Sequence, residues 1–233
     1  MRSNLSFAVE RYPKLGRTQW LLEQDGDGNY VHFSQNAVLA AAIWHVAAVE
    51  KSFRELAAQG NAANPTAMHD YSEKLRRQIS DLVDLTRQSQ MAVNPRARVM
   101  AMITMDVHYR DVFQNFLDNG VTRIDSFAWQ SQLRSYFDGV GSGIEIESDD
   151  VDATQATTVA IRICDADFGY GYEYLGNSTR LVVTPLTDKI YCTVSQSLQL
   201  NMGCSLSGWS SRCVSWHSRA VSINLLTFFF SSS

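Results

Sequence analysis

The sequence has no apolar run approaching the roughly 18 residues that a membrane-spanning helix needs, and no membrane span is read from it. The Phe228-Phe229-Phe230 triplet is apolar but far too short. The N-terminus, Met1 to Ser6, lacks the long apolar run of a secretory signal peptide. There is no basic surplus: 20 Lys and Arg against 24 Asp and Glu leave a net charge of −4. Without a basic stripe to neutralise phosphates, this balance argues against nucleic acid as the main partner. The four cysteines, Cys164, Cys192, Cys204 and Cys213, form no CxxC pair. That argues against structural zinc, and scattered thiols fit a reducing cytosol better than a disulfide framework. No internal repeat recurs at a fixed period. Asp25 to Tyr30 superficially resembles a calcium loop, but such a loop needs Gly at its sixth position and Glu at its twelfth. Tyr30 and Asn36 stand there instead, so the stretch is read as a solvated turn.

What remains is a chain of 233 residues, 45% hydrophobic, with enough apolar content for a sizeable core. Residues 1–35 are mixed, with Trp20-Leu21-Leu22 as a packed anchor. From Asn36 the period is helical, with Val38, Ala42, Ile43, Val46, Val49, Phe53 and Leu56 on one face. Gly60 and Asn61 end this helix, and Asn64-Pro65 starts a second. The second helix buries Leu75, Ile79, Leu82 and Val83 and turns a charged face to solvent. Asn94-Pro95 opens a third, with Asn119-Gly120 as a left-handed cap. A fourth, shorter helix is predicted from Asp125, with Trp129, Leu133, Tyr136 and Phe137 facing inward. Long helices joined by short turns imply antiparallel packing.

The composition changes at Gly139. A glycine-rich and acidic stretch over 139–158 predicts a solvated linker or surface loop. Val159, Ile161 and Ile163 then alternate as a strand, and Phe168 to Leu175 is predicted as a second strand before a Gly176-Asn177 turn. Thr184-Pro185 starts a helix, Thr as N-cap and Pro at the first helical position, with Ile190, Val194 and Leu198 as its buried stripe.

Two segments are highly specific in their spelling. Tyr170-Gly171-Tyr172-Glu173-Tyr174-Leu175-Gly176-Asn177 precedes Leu181-Val182-Val183-Thr184-Pro185-Leu186-Thr187-Asp188. Upstream stand Asp106-Val107-His108-Tyr109-Arg110-Asp111 and Phe127-Ala128-Trp129-Gln130-Ser131-Gln132-Leu133-Arg134. In order and spacing these closely resemble the dynein heavy chains where the linker gives way to the first AAA+ module. The resemblance is strongest from Arg98 to Met202. The Ile163-Cys164-Asp165-Ala166 and Ser195-Gln196-Ser197-Leu198 spellings look more like axonemal than cytoplasmic heavy chains.

The resemblance implies a mainly α fold. Residues 1–138 would be the C-terminal part of the linker, a set of antiparallel helices. Residues 159–202 would be a small β-hairpin and helix that begin an α/β AAA+ module, and residues 203–233 an irregular tail. It implies ATP as cofactor, with Mg in the intact parent. Leu181, Val182, Pro185, Leu186 and Thr187 would form the loop that receives the adenine, its apolar side chains facing a flat base. No catalytic residue and no metal ligand is assigned. The implied partners are the remainder of the AAA+ ring and, through the intact parent, intermediate and light chains and microtubules. The implied location is the cytoskeleton, in a ciliary or flagellar axoneme.

The same family has a Gly-Ala-Pro turn and a Walker A loop ending Gly-Lys-Thr just past the position of Met202. That loop cradles phosphates with backbone N–H groups and a lysine. Here Gly203-Cys204-Ser205-Leu206 follows, no lysine occurs after Lys189, no acidic residue occurs after Asp188, and serine fills about a third of the tail. The tail is therefore read as an out-of-frame or intronic continuation. Codons for Gly-Cys-Ser, read one base later, can spell Gly-Ala-Pro. On this reading the chain is a fragment cut off before the Walker A loop, and is not expected to hydrolyse ATP alone. The rival reading is a non-catalytic helical interaction protein derived from a linker.

Several residues invite sharper readings. Asp106 and His108 do not share a helix face, so they are expected to be structural or to contact the ring. Met100, Met102 and Met105 read as core filling, and His45 as a packed histidine. Tyr170, Tyr172 and Tyr174 alternate, placing all three on one strand face, with packing against the linker helices favoured over an open platform. Thr187 and Asp188 suit either nucleotide contact or a helix start.

Overall fold

The structure, a computed structural model, describes residues 2–58, 66–87, 93–137, 140, 159–174, 184–206 and 214–216. The expected 139–158 linker (Val140 apart), the Gly176-Asn177 turn, Leu181, Val182 and most of the tail lie outside these residues. So do Gly60, Asn61, Asn64 and Pro65.

Helices α1 (Arg2–Arg11) and α2 (Arg17–Leu21), separated by a 3₁₀ turn over Tyr12–Lys14, precede three long ones. These are α3 (Ser34–Ala58), α4 (Thr66–Thr86) and α5 (Val93–Asp118). The antiparallel expectation holds between successive helices. Arg76 of α4 reaches Gln114 of α5, while the far end of α4, at the Thr86 carbonyl, meets Arg96. His45 of α3 stacks on Tyr109 of α5 at 3.9 Å and takes part in a 2.8 Å hydrogen bond with Tyr71 of α4. Gly120 closes α5 at φ +63, where a Cβ would be strained. Val121 N–H then returns to the Phe116 carbonyl.

Residues 1–35, mixed by sequence, contain α1, which buries Leu5, Ala8 and Val9 on α3. Trp20 is fully buried as expected, its indole N–H donating to the Ala8 carbonyl. The Asp25 loop is the expected turn: the Asp25 carboxylate accepts from Asp27 N–H and Asn29 N–H, and Gly28 sits at φ +79.

The fourth helix is a correction. Helix α6 covers only Phe127–Gln130, and Arg134–Phe137 is a strand, β1. All four β1 residues are buried between α3 and a second strand, β2 (Val159–Ile163). Pairing with that distant strand satisfies the backbone of a fully buried segment, and this tertiary contact overrides the local helical period. The register runs Phe137↔Val159 to Arg134↔Arg162. Strand β3 (Ala166–Gly169) pairs antiparallel on the other side of β2, giving the order β1-β2-β3.

The second predicted strand is also corrected. It begins at Ala166 and ends at Gly169, and beyond it Tyr172 adopts φ +54, which departs from strand geometry. The three tyrosines therefore do not share a face. Tyr170 is buried and accepts a 2.7 Å hydrogen bond from Gln35 of α3, Tyr172 meets Tyr170 edge-on, and Tyr174 is exposed. Packing against the helices, the favoured reading, holds for Tyr170. Among the methionines, Met102 is fully buried, whereas Met100 is half exposed and is not core filling.

The last long helix is α7 (Pro185–Gln199). A short antiparallel pair, β4 (Cys204–Leu206) and β5 (Val214–Trp216), ends the described structure.

Apolar packing centres on two regions of the bundle. One joins Leu5, Trp20, Ile43, Met102, Phe137 and Ile161, and the other Phe53, Leu75, Phe113, Phe116, Trp129 and Tyr136. Phe53, Phe116 and Trp129 meet edge-on or tilted with centroids about 6 Å apart, an arrangement aromatic quadrupoles favour. The three-stranded sheet thus belongs to the bundle core, and α7 is added to the sheet from outside.

Candidate functional site

The helix start at Thr184 forms as its spelling dictates. Thr184 is the N-cap, Pro185 occupies the first turn, and a capping box links Thr184 with Thr187. Thr187 Oγ1 accepts from Thr184 N–H at 2.7 Å, while Thr187 N–H donates to Thr184 Oγ1 at 3.4 Å. Thr187 therefore has a definite helix-start role. Asp188, in the first turn, complements the helix dipole.

One side of α7 faces a groove of about 790 Å³ whose other walls come from α5 and the α6 region. Asp188 and Lys189 line it from α7, His108 and Asp111 from α5, and Phe127 and Gln132 from the α6 segment. Burial pushes the Asp188 carboxyl up to about 6, partly offset by Gln132. Burial pushes the His108 imidazole down to about 4, partly offset by Asp111. At neutral pH the histidine is thus neutral and the carboxylate charged.

The Asp106–His108–Asp111 trio divides as its helical spacing requires. Asp106 points into the bundle and pairs with Arg17, whereas His108 and Asp111 face the groove. Burial disfavours the Arg17 charge, but the adjacent Asp106 more than offsets this and holds the guanidinium above its ordinary range. A second buried polar group lies on the sheet. The Tyr136 hydroxyl donates to Glu50 at 2.6 Å, and Arg134 donates to that hydroxyl at 3.2 Å.

Inward from the groove, α7 rests on the β2–β3 turn. Val194, Ser195 and Leu198 are buried there, and Gln196 Nε2 donates to the Ile163 carbonyl at 3.1 Å. Cys164, in that turn, lies with its Sγ 3.3 Å from Cys192 Sγ of α7. Burial and the neighbouring thiol push the Cys164 thiol up to about 11. No spacing rule flags this pair, because the two cysteines are 28 residues apart; only docking of α7 on the hairpin brings them together. The groove is equally invisible in sequence, since it needs three separate segments.

Of the expected adenine-side residues, Leu181 and Val182 lie outside the described residues. Pro185 and Thr187 belong to the cap, and Leu186 is 68% exposed beside it. No Gly-Lys-Thr spelling follows α7 in the sequence. Among the described residues, no group of three His, Cys, Asp or Glu side chains is placed to hold a metal ion, and no helix is long and apolar enough to cross a membrane.

Residues 170–213 match the family described as the hydrolytic ATP binding site of the dynein motor region. The match starts at buried Tyr170, covers the capped helix and continues past Met202. Similarity to curated proteins covers most of the chain. It is 36% identical over 208 residues to the dynein alpha chain of the flagellar outer arm of Chlamydomonas reinhardtii, covering 89% of this chain. It is 35% identical over 202 residues to human dynein axonemal heavy chain 9, covering 87% of this chain. With the ciliary dynein beta chain of Tripneustes gratilla it shares 35% identity over 202 residues, again 87% of the chain. The chain belongs to the dynein heavy chain family. It spans 4% of the length of each of these three relatives.

Proposed function

We propose that this chain is the junction between the linker and the first AAA+ module of an axonemal dynein heavy chain. Its parent is then an ATP-driven, minus-end-directed microtubule motor. The observation that carries the reading is the ordered pair of features at one site. A rigid, Thr184-capped helix start bears an exposed Leu186, and it lies inside the segment matched to the dynein hydrolytic ATP site. In this reading α1–α5 and β1 are the mechanical side, α7 is the motor side, and the groove between them is where the two meet.

ATP supplies the free energy in the intact parent, with Mg neutralising its phosphates. This chain's residues hold the base side: Leu181, Val182, Pro185 and Leu186 give apolar surface, and the Thr184–Thr187 cap fixes its direction. Phosphoryl transfer depends on positioned charge, and the sequence after Asp188 has no lysine beyond Lys189 and no acidic residue. The chain alone therefore does not hydrolyse ATP. Residues from Gly203 are read as departing from the family's frame, although the family match reaches residue 213. Incorporation with intermediate and light chains into a ciliary or flagellar axoneme belongs to the intact parent.

Sequencing independent transcripts through the codon for Met202 tests the reading. An in-frame Gly-Ala-Pro turn and Gly-Lys-Thr loop joined to this sequence supports it. A continuous frame encoding the present tail in every transcript contradicts the frame departure and favours the non-catalytic helical protein.

A further inference from the structure

We propose that Cys164 and Cys192 form a reversible dithiol–disulfide pair that fastens α7 to the β2–β3 hairpin. Their sulfurs are 3.3 Å apart, and both residues are partly exposed, so a small oxidant can reach them. A disulfide needs an S–S distance of about 2.05 Å, which asks for an approach of little more than an ångström, within the reach of a side-chain rotation. Cys192 also lines the outer groove while Cys164 lies inward of it, and neither thiol belongs to the adenine-side loop.

The surroundings hold Cys164 in place. It adopts φ +49, where Gly or Asn is usual, yet a cysteine occupies the position. Its N–H donates to the Gln130 carbonyl at 2.7 Å, and its own carbonyl accepts from Arg134 at 3.3 Å. One side of the pair is thereby fixed to β1 and the bundle. Cys192 lies on α7 within a turn of Gln196, whose hydrogen bond to the Ile163 carbonyl keeps that part of α7 against the hairpin. The bond would tie two elements that otherwise share a few buried side chains.

The oxidant is a small-molecule disulfide of the glutathione class. One protein thiolate attacks it, forming a mixed disulfide and releasing one thiol. The second protein thiolate then attacks the protein sulfur of that mixed disulfide and expels the other thiol. Two protein S–H bonds and one external S–S bond become one protein S–S bond and two external S–H bonds. The protein loses two electrons and two protons, and excess reduced thiol reverses the step.

The test uses the full chain in native buffer, equilibrated with oxidised and reduced glutathione and quenched with acid. In the wild type, tryptic mapping without reductant should join the peptide Ile163–Arg180 to the peptide Ile190–Arg212. Because the second peptide also contains Cys204, the mapping is repeated in a Cys204→Ser/Cys213→Ser variant. There the intact mass should fall by two hydrogens, and free thiols from two to none. The Cys164→Ser and Cys192→Ser variants should lose the cross-link. Oxidation should raise the urea midpoint of the wild type and leave that of Cys164→Ser unchanged. Glutathione adducts without the cross-link, a cross-link to Cys204 or Cys213 instead, or an unchanged midpoint on oxidation would overturn the proposal.

Discussion

Arg17 and Asp106 pair inside the bundle with side chains only 9% and 1% exposed, and Trp20, Phe53 and Trp129 are fully buried in its two apolar regions. Helix α7, by contrast, buries Val194, Ser195 and Leu198 among its described side chains and otherwise meets the protein through an open groove of mixed lining and a single turn. The bundle side is built as a rigid body in which aromatic packing and buried charge define one arrangement. The α7 side has a well-made start and a thin attachment. The proposed role as a junction between a mechanical element and a motor module would use this asymmetry, one side transmitting force and the other moving against it.

The difference can be broken most severely from inside. Asp106→Ala strands Arg17 as an uncompensated buried charge, which should cost about 3–5 kcal/mol, measured by urea unfolding. A loss under 1 kcal/mol would mean that the pair is solvated and the bundle looser than described. Tyr136→Phe removes the donor to Glu50 and should cost roughly 2 kcal/mol, leaving hydrogen exchange at the α7 amides unchanged. Slowed or accelerated exchange in α7 alone would show that the two sides are not separate.

Acid acts with opposite sign on His45 and on Asp188. His45 is pushed by burial from 6.5 down to about 3, so its unfolded form binds the extra proton and stability falls as pH drops below 6.5. Between pH 6.5 and roughly 5 this amounts to at most about 2 kcal/mol, and His45→Phe should remove that part of the slope. Asp188, pushed from 3.8 up to about 6, works the other way, because the folded state holds the proton more tightly and gains as pH falls from 6 to 3.8. Asp188→Asn should therefore remove the gain between pH 6 and 3.8, read as the pH dependence of α7 amide protection, and an unchanged profile would contradict it. The smallest effect is at the cap. Thr184→Ala should cost about 1 kcal/mol, seen as fraying of the first turn of α7 with the bundle's urea midpoint unchanged.

The sequence made these two sides unequally legible. The α3–α5 helices and the Thr184 cap follow from local pattern, so periodicity and capping chemistry located them. Strand β1 was misread because Arg134–Phe137 is decided by β2, across the stretch from Asp138 to Thr158. The tyrosine run was misread because the positive φ of Tyr172 leaves no periodic trace. At the candidate site, Leu186 and Thr187 were legible through the cap and the family spelling. The groove, the Arg17–Asp106 pair and the Cys164–Cys192 contact all join residues far apart in the chain, which no local pattern encodes.

On the proposed function, this chain carries the base side of a nucleotide site and not the phosphate side. Titrating the full chain with ATP and Mg by calorimetry tests this directly: no saturable binding at micromolar nucleotide is expected, and a micromolar Kd would contradict it.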